Sequence, residues 1–241
     1  HGEVLGFCRS LPGFYRAFGF DQLEIAFSKR PEQRAGDDDA WDRAEAALLA
    51  ALRALGEPYV EQPGAGAFYG PKLEFALRDR HGRSWQCGTI QFDLVLPKRF
   101  GLTYVAASGV REHPVMLHRA LYGSLERFLG IVLEQHGAQL PGWLAPVQVR
   151  VLPVSQAQLQ AAEAHVAALA ACGLRVELRA AESLARRIAA ARAQAEPHVV
   201  VIGAREAAYG TVSLRERGAQ RELPAAAAAV ELARLCAAPS F

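Results

Sequence analysis

Pro141-Gly142-Trp143-Leu144-Ala145-Pro146 divides the chain into two stretches that obey different patterns. Two prolines and a glycine in six residues interrupt both helix and sheet hydrogen bonding, so this segment reads as a linker between residues 1–143 and 146–241. Before it, Leu23-Glu24-Ile25-Ala26-Phe27 alternates as a half-buried strand. Asp37-Asp38-Asp39 then caps a helix whose Trp41, Ala44, Leu48, Leu52 and Leu55 recur at helical spacing. Leu73 to Leu77 and Trp85 to Leu96 read as further strands, the second with Ile90, Phe92, Leu94 and Leu96 on one face and Thr89, Gln91 and Asp93 on the other. Polar groups along one face of a sheet suggest a site. A helix from Leu121 to His136 closes this stretch.

After the linker, strands and helices alternate. Val147, Val149 and Val151 make a strand, Gln156 to Cys172 a helix, Leu174 to Leu178 a strand and Ser183 to Ala195 a helix. Val199-Val200-Val201-Ile202 is apolar on both faces, as a central strand must be. Thr211 to Arg215 and a helix started by Pro224 complete an α/β domain.

Composition narrows the function classes. A chain of 241 residues with 51% hydrophobic and 22% charged residues is long enough for a packed core. The 27 basic and 25 acidic side chains leave a net charge of only +2, so any contact with nucleic acid comes from a local patch. Cysteines at 8, 87, 172 and 236 stand too far apart for a CxxC pair, which argues against a zinc ribbon, a thioredoxin-like site or a disulfide scaffold. Reduced thiols and a cytoplasmic location are expected. The apolar run from Ala225 to Val230 meets Glu231 and Arg234 before it reaches membrane-spanning length, so no membrane span is expected. His1-Gly2-Glu3-Val4 opens the chain inside a helical pattern, which predicts that a native N-terminal half precedes it.

Gly64-Ala65-Gly66-Ala67-Phe68-Tyr69-Gly70-Pro71-Lys72 invites a nucleotide reading, but position 69 lacks the glycine of GxGxxG and Pro71 separates Gly70 from Lys72. Neither a dinucleotide fingerprint nor a P-loop fits. There is no GxSxG elbow and no HExxH. His113 and His118 are five apart with no cysteine beside either, a pair that reads more readily as structural than as metal-binding.

Six blocks then acquire a common meaning: Arg30 to Gly36, Gly64 to Lys72, Trp85 to Gln91, Pro114 to His118, Gly123 to Arg127 and Trp143 to Val149. In order and spacing they resemble the threonyl-tRNA synthetase family over nearly the whole chain. The resemblance implies part of an antiparallel α+β class II synthetase core over residues 1–143, followed by an α/β anticodon-binding domain with a mixed sheet over 146–241. It implies threonine, ATP and tRNA as partners, Mg²⁺ and Zn²⁺ as ions, and a homodimer. Arg127 resembles the third-motif arginine that holds ATP phosphate, where a planar, bidentate cation suits charge spread over phosphate oxygens. Gly123 and Ser124 precede it where the backbone passes close to the nucleotide, and Lys72 resembles the lysine near the α-phosphate. Tyr69 and Gln91 resemble residues of the threonine pocket, and Gln86 one that contacts the nucleotide. A regular strand puts Gln86 and Gln91 on opposite faces, and a bulge at Gly88 would reconcile them. His118 resembles one of three zinc ligands, the zinc separating threonine from valine; the alternative is a core histidine. Cys87 is expected to be a packed thiol.

The resemblance also places the first two class II motifs and the other two zinc ligands upstream of His1, and His1 itself stands too late to be the missing zinc histidine. Of four base-reading positions in the anticodon-binding domain, Glu206 and Arg215 match, whereas Ala181 and Ala189 replace an asparagine and an arginine. Alanine offers no hydrogen bond to a base edge. Three readings follow: a threonine–tRNA ligase, a divergent paralogue that has lost anticodon reading, and a non-catalytic RNA-binding remnant.

Overall fold

A computed structural model describes residues 2–216 and 219–240; His1 lies outside them. The residues fall into two compact units that meet in sequence between Gln135 and His136.

The first unit begins with α1 (Gly2–Ala17), β1 (Leu23–Ser28) and α2 (Asp38–Leu55). Asp37 caps α2 by accepting the Ala40 N–H at 2.8 Å, and Trp41, Ala44, Leu48, Ala51 and Leu52 are its buried stripe. There follow β2 (Val60–Gln62), β3 (Lys72–Arg78), β4 (Ser84–Asp93), the short α3 (Leu96–Arg99), a ribbon of β5 (Tyr104–Val105) and β6 (Arg111–Glu112), β7 (Met116–Ala120) and α4 (Leu125–His136). Five strands form one sheet in the order β2-β1-β3-β4-β7, antiparallel except for the β1–β2 pair.

Register gives this sheet two unlike faces. Ile25 opposite Phe75, Phe27 opposite Leu73 and Ile90 beside Leu73 make the apolar face, and all five side chains are buried. The same pairings bring Ser28, Lys72, Glu74, Thr89, Gln91 and His118 to the other face. Phe14, Tyr15, Phe18 and Phe20, from α1 and the turn after it, surround Phe128 of α4 with ring centroids 5.0–6.4 Å away.

The second unit contains β8 (Val149–Pro153), α5 (Leu159–Ala171), β9 (Val176–Leu178), α6 (Leu184–Ala193), β10 (His198–Ile202), α7 (Ala204–Tyr209), β11 (Thr211–Glu216), β12 (Ala219–Pro224) and α8 (Ala225–Leu235). Its sheet runs β12-β11-β10-β8-β9 and is mixed: β9, β8 and β10 are parallel, while β11 and β12 are antiparallel. β8 and β10 are buried along their whole length, which accounts for the unbroken apolar run at 199–202. Buried Arg150 breaks the apolar pattern of β8 and is neutralised by Glu196 and Glu177.

Several boundaries differ from those expected. β4 ends at Asp93 rather than Leu96, because the Asp93 carboxylate accepts the Val95 and Leu96 N–H groups at 2.9 Å and turns the chain into α3, where Pro97 has no N–H for a ladder. Leu94 and Leu96 therefore leave the strand face. α4 starts at Leu125 rather than Leu121, after Gly123 at φ 69°. Gln156–Gln158 form a 3₁₀ turn before α5, and Pro224 ends a strand, β12, that the sequence did not reveal. The bulge in β4 falls at Cys87: Phe75 pairs with Gly88 and Ala76 with Gln86, leaving Cys87 as the extra residue.

Candidate functional site

The bulge decides where the polar side chains go. Ala76 shares the face of Lys72 and Glu74, so its partner Gln86 joins Thr89 and Gln91 on that face despite the odd spacing. Lys72, Gln91 and His118 are direct neighbours across β3, β4 and β7. Gln86 lies farther along, four residues of β3 away or roughly 13 Å of strand rise. The polar face is thus long enough for a ligand with two chemically different ends.

At one end, Tyr69 Oη donates to Gln91 Oε1 at 3.2 Å, and the Tyr69 ring meets His118 edge-on with centroids 6.4 Å apart. The loop carrying Tyr69 lies on β4 so closely that a Cβ at Gly70 would stand 1.8 Å from the Phe92 carbonyl oxygen. His118 Nε2 is 2.9 Å from Asp93 Oδ2. Burial opposes ionisation of Asp93, but the His118 contact and the N–H groups of Leu96 and Val95 prevail and hold its carboxyl below the usual range. The His118 side chain is 44% exposed, so it is not the core histidine offered as an alternative by the sequence. With Nε2 on a buried carboxylate, the ring is held in one orientation and its other nitrogen, Nδ1, is left for a further partner. His113 is elsewhere engaged, its Nδ1 2.7 Å from the Leu102 carbonyl oxygen, and Cys87 is a buried thiol whose pKa burial raises. Among the described residues no group of three or more His, Cys, Asp or Glu side chains is placed to hold a metal ion.

At the other end, Arg127 of α4 donates through Nη2 to the Gln86 carbonyl oxygen. It pairs with neither Glu126, which accepts from Ser124 Oγ, nor Glu134, which pairs with Arg83. A Cβ at Gly123 would stand 2.7 Å from Arg127 Nη2, so glycine serves both the positive φ and the path of the guanidinium. Ser124 Oγ accepts the Arg127 N–H at 3.3 Å and caps α4. Beside Gln86, a groove of about 660 Å³ runs over β1 and β2, lined by Glu24, Ala26, Tyr59, Val60, Gln62 and Glu74 among others.

Glu74, which sequence reasoning passed over, joins the polar groups. It accepts from Ser28 Oγ at 2.6 Å, Lys72 Nζ at 2.8 Å and Gln86 Nε2 at 2.6 Å. Burial works against its charge, yet Lys72 and Ser28 hold the carboxyl below its ordinary pKa. Its only signal in the sequence was its place between Leu73 and Phe75 in an alternating strand. The Arg30–Gly36 block is a loop tied to α2, with Arg30 on Glu45 and Asp42 and Arg34 on Asp38.

In the second unit, Glu206 accepts the Gly203 N–H at 3.0 Å and caps α7. Arg215 lies on β11 opposite Val199, four residues before Gly203 or roughly 13 Å along β10, so the two backbone positions are well separated. Arg215 lines a groove of about 530 Å³ together with Arg192, Glu196 and Gln220, and its buried Nε has no hydrogen-bond partner among the described residues. Ala181 and Ala189 are exposed.

Residues 3–136 match the family described as tRNA synthetase class II core domain (G, H, P, S and T), and residues 148–234 match the anticodon binding domain. A threonine–tRNA ligase of Burkholderia multivorans is 47% identical over 90% of the chain, which covers 34% of that protein. The chain thus spans about a third of the length of the curated relatives it matches. A crystal structure of the RNA binding domain of threonyl-tRNA synthetase from Cryptosporidium parvum superposes with a TM-score of 0.93 at 34% identity, covering 99% of this chain and 60% of that one. A putative threonyl-tRNA synthetase, ThrRS-1, from Aeropyrum pernix does so with a TM-score of 0.76 at 28% identity, over 99% and 62%.

Proposed function

The chain belongs to the class II tRNA synthetases, and from that premise we propose that it forms part of a threonine–tRNA ligase. What carries this reading is the single polar face on which the bulge at Cys87 aligns Gln86 with the row Lys72, Gln91 and His118. An aminoacyl adenylate has the two unlike ends such a face would seat: threonine at Tyr69, Gln91 and His118, the nucleotide at Gln86, Ser124 and Arg127.

In adenylate formation a threonine carboxylate oxygen attacks the α-phosphorus of ATP, and the bond to pyrophosphate breaks. Negative charge spreads over the phosphate oxygens. Lys72 and Arg127 are the cations this chain offers to it, Lys72 as a compact ammonium and Arg127 as a rigid fork. Mg²⁺ bound to the phosphates would supply further neutralisation. Tyr69 and Gln91 hydrogen-bond each other and would orient the amino acid. His118 would provide one zinc ligand, the zinc then serving as a polar recognition point for the threonine amino and hydroxyl groups. Such recognition rejects an analogue lacking the hydroxyl far better than apolar packing does. Transfer follows when a terminal tRNA hydroxyl attacks the acyl carbonyl and AMP leaves. A cytoplasmic homodimer belongs to the same reading; no helix among the described residues is long and apolar enough to cross a membrane, and the cysteines are free.

One observation favours a second reading, a paralogue with weakened anticodon selection: exposed Ala181 and Ala189 offer no side-chain hydrogen bond where the resemblance puts two base readers.

The test is amino-acid-dependent ATP–pyrophosphate exchange by the full product of the gene that encodes this chain. Exchange is expected with threonine, and threonine should be preferred over valine by ~10²-fold or more. Exchange with proline, histidine, serine or glycine in place of threonine contradicts the proposal. The 241-residue chain alone, with one of three zinc ligands, should give no exchange above a no-enzyme blank.

A further inference from the structure

Glu74 occupies an unusual position for a negative charge. It sits on the face that would receive phosphates, its carboxylate 2.8 Å from the ammonium of Lys72, and its side chain is only 16% exposed. A carboxylate there repels an anionic ligand. What it provides in return is order. Lys72 Nζ and Gln86 Nε2 both donate to Oε1, so two head groups from different strands are held around one point. Fully buried Ser28 donates to Oε2 and stops the carboxylate from turning.

Lys72 is notable in the sequence as well. It is one of three lysines, with Lys29 and Lys98, in a chain that otherwise uses arginine for positive charge. A flexible lysine has no geometry of its own and must be aimed from outside.

We propose that Glu74 is a positioning residue of the nucleotide site, a single carboxylate that aims the Lys72 ammonium and the Gln86 amide toward the same ligand. The inference rests on the synthetase reading for what that ligand is, but the clamp is a property of this chain. ATP would take the ammonium from Glu74 along a path the carboxylate has already set, so the gain appears in turnover more than in ground-state affinity.

Two measurements test it. The first is acylation of the three lysines by an amine-reactive ester, followed by peptide mass spectrometry on the 241-residue chain. Lys72 should react about threefold or more faster in Glu74→Gln than in the native chain, because the charge-assisted hydrogen bond that occupies its Nζ on Glu74 Oε1 is gone, while Lys98 keeps its rate. Should Glu74→Gln fold poorly by circular dichroism, Glu74→Asp carries the test, with a Lys72 rate between native and fully released. A Lys72 rate unchanged in the folded variant overturns the clamp.

The second is exchange kinetics in the full gene product. Glu74→Gln should lower kcat about tenfold with KM for ATP changed less than about twofold. In a Lys72→Ala background the same substitution should cost little more, because a residue acting through Lys72 loses its effect with it. Fully additive losses would make Glu74 a merely structural residue. If the unsubstituted protein exchanges no threonine, the ligase reading fails while the labelling result still decides the clamp.

Discussion

Arg127 reaches the Gln86 carbonyl because β7 pairs with β4 only as far as Thr89, leaving the backbone beyond it open to a donor from α4. Removing this guanidinium should lower adenylate formation by ~10²-fold or more, the scale of losing one preorganised transition-state donor. Arg127→Lys should restore little of it, since an ammonium lacks the fork that spans two oxygens. Exchange kcat/KM for the two variants checks both. Gly123→Ala forces a side chain into positive φ and against the Arg127 fork, so it should cost about 1 kcal/mol or more in urea unfolding and lower the exchange rate as well. At this scale legibility was uneven. Alternation in β4 already put Gln91 on a polar face, but Lys72 and His118 could be picked out only through the blocks they resemble, because their adjacency to it is a matter of strand register. Glu74 and the Asp93–His118 contact escaped for the same reason: their partners come from strands far apart in sequence.

The β3–β4 hairpin carries Lys72, Glu74, Gln86 and Gln91 of the candidate site, and Asp79 at its turn holds it together. Burial opposes the Asp79 charge, but hydrogen bonds from Trp85 Nε1, from the Arg83 N–H and side chain and from the His81 N–H hold its carboxyl well below the usual carboxylate range. The unfolded chain, with an ordinary aspartate, binds the proton more readily. Stability from this group is therefore complete above its unfolded pKa near 4 and is lost as pH falls below it. The urea midpoint of the 241-residue chain should fall between pH 6 and about pH 3, and Asp79→Asn should flatten that slope while lowering the midpoint at pH 6. A slope unchanged by Asp79→Asn would assign the acid sensitivity elsewhere. Long periodic elements were legible: α2 with its Asp37 cap, the alternating β1 and β3, and apolar β10. Three-residue β9 was also legible from the alternation in Leu174 to Leu178, but short strands without such a pattern were not. β2 has three exposed residues and no apolar face, so it exists only because β1 offers it an edge.

For the molecule as a whole, the two units match different families, the first a class II core domain and the second an anticodon binding domain. With Ala181 and Ala189 exposed and Glu206 committed to capping α7, binding of tRNA through residues 146–241 should rest on Arg215 and on Arg186 and Arg192 of α6. Affinity should then fall steeply with salt and differ less than tenfold between native and swapped anticodons, since phosphate contacts position RNA without specifying sequence. Ala181→Asn with Ala189→Arg should restore preference worth ~1–3 kcal/mol per base contact, judged from base-edge pairing in DNA. A tenfold anticodon preference in the unsubstituted domain would return the protein to ordinary anticodon reading. In the first unit one polar face, assembled by the bulge at Cys87, would seat both ends of an adenylate. A crystal structure of the full gene product with a non-hydrolysable threonyl-adenylate analogue tests this most directly. The amino acid should lie against Tyr69, Gln91 and His118, and the nucleotide against Gln86, Lys72 and Arg127. An analogue bound away from this face, or touching only one end of it, would contradict the account.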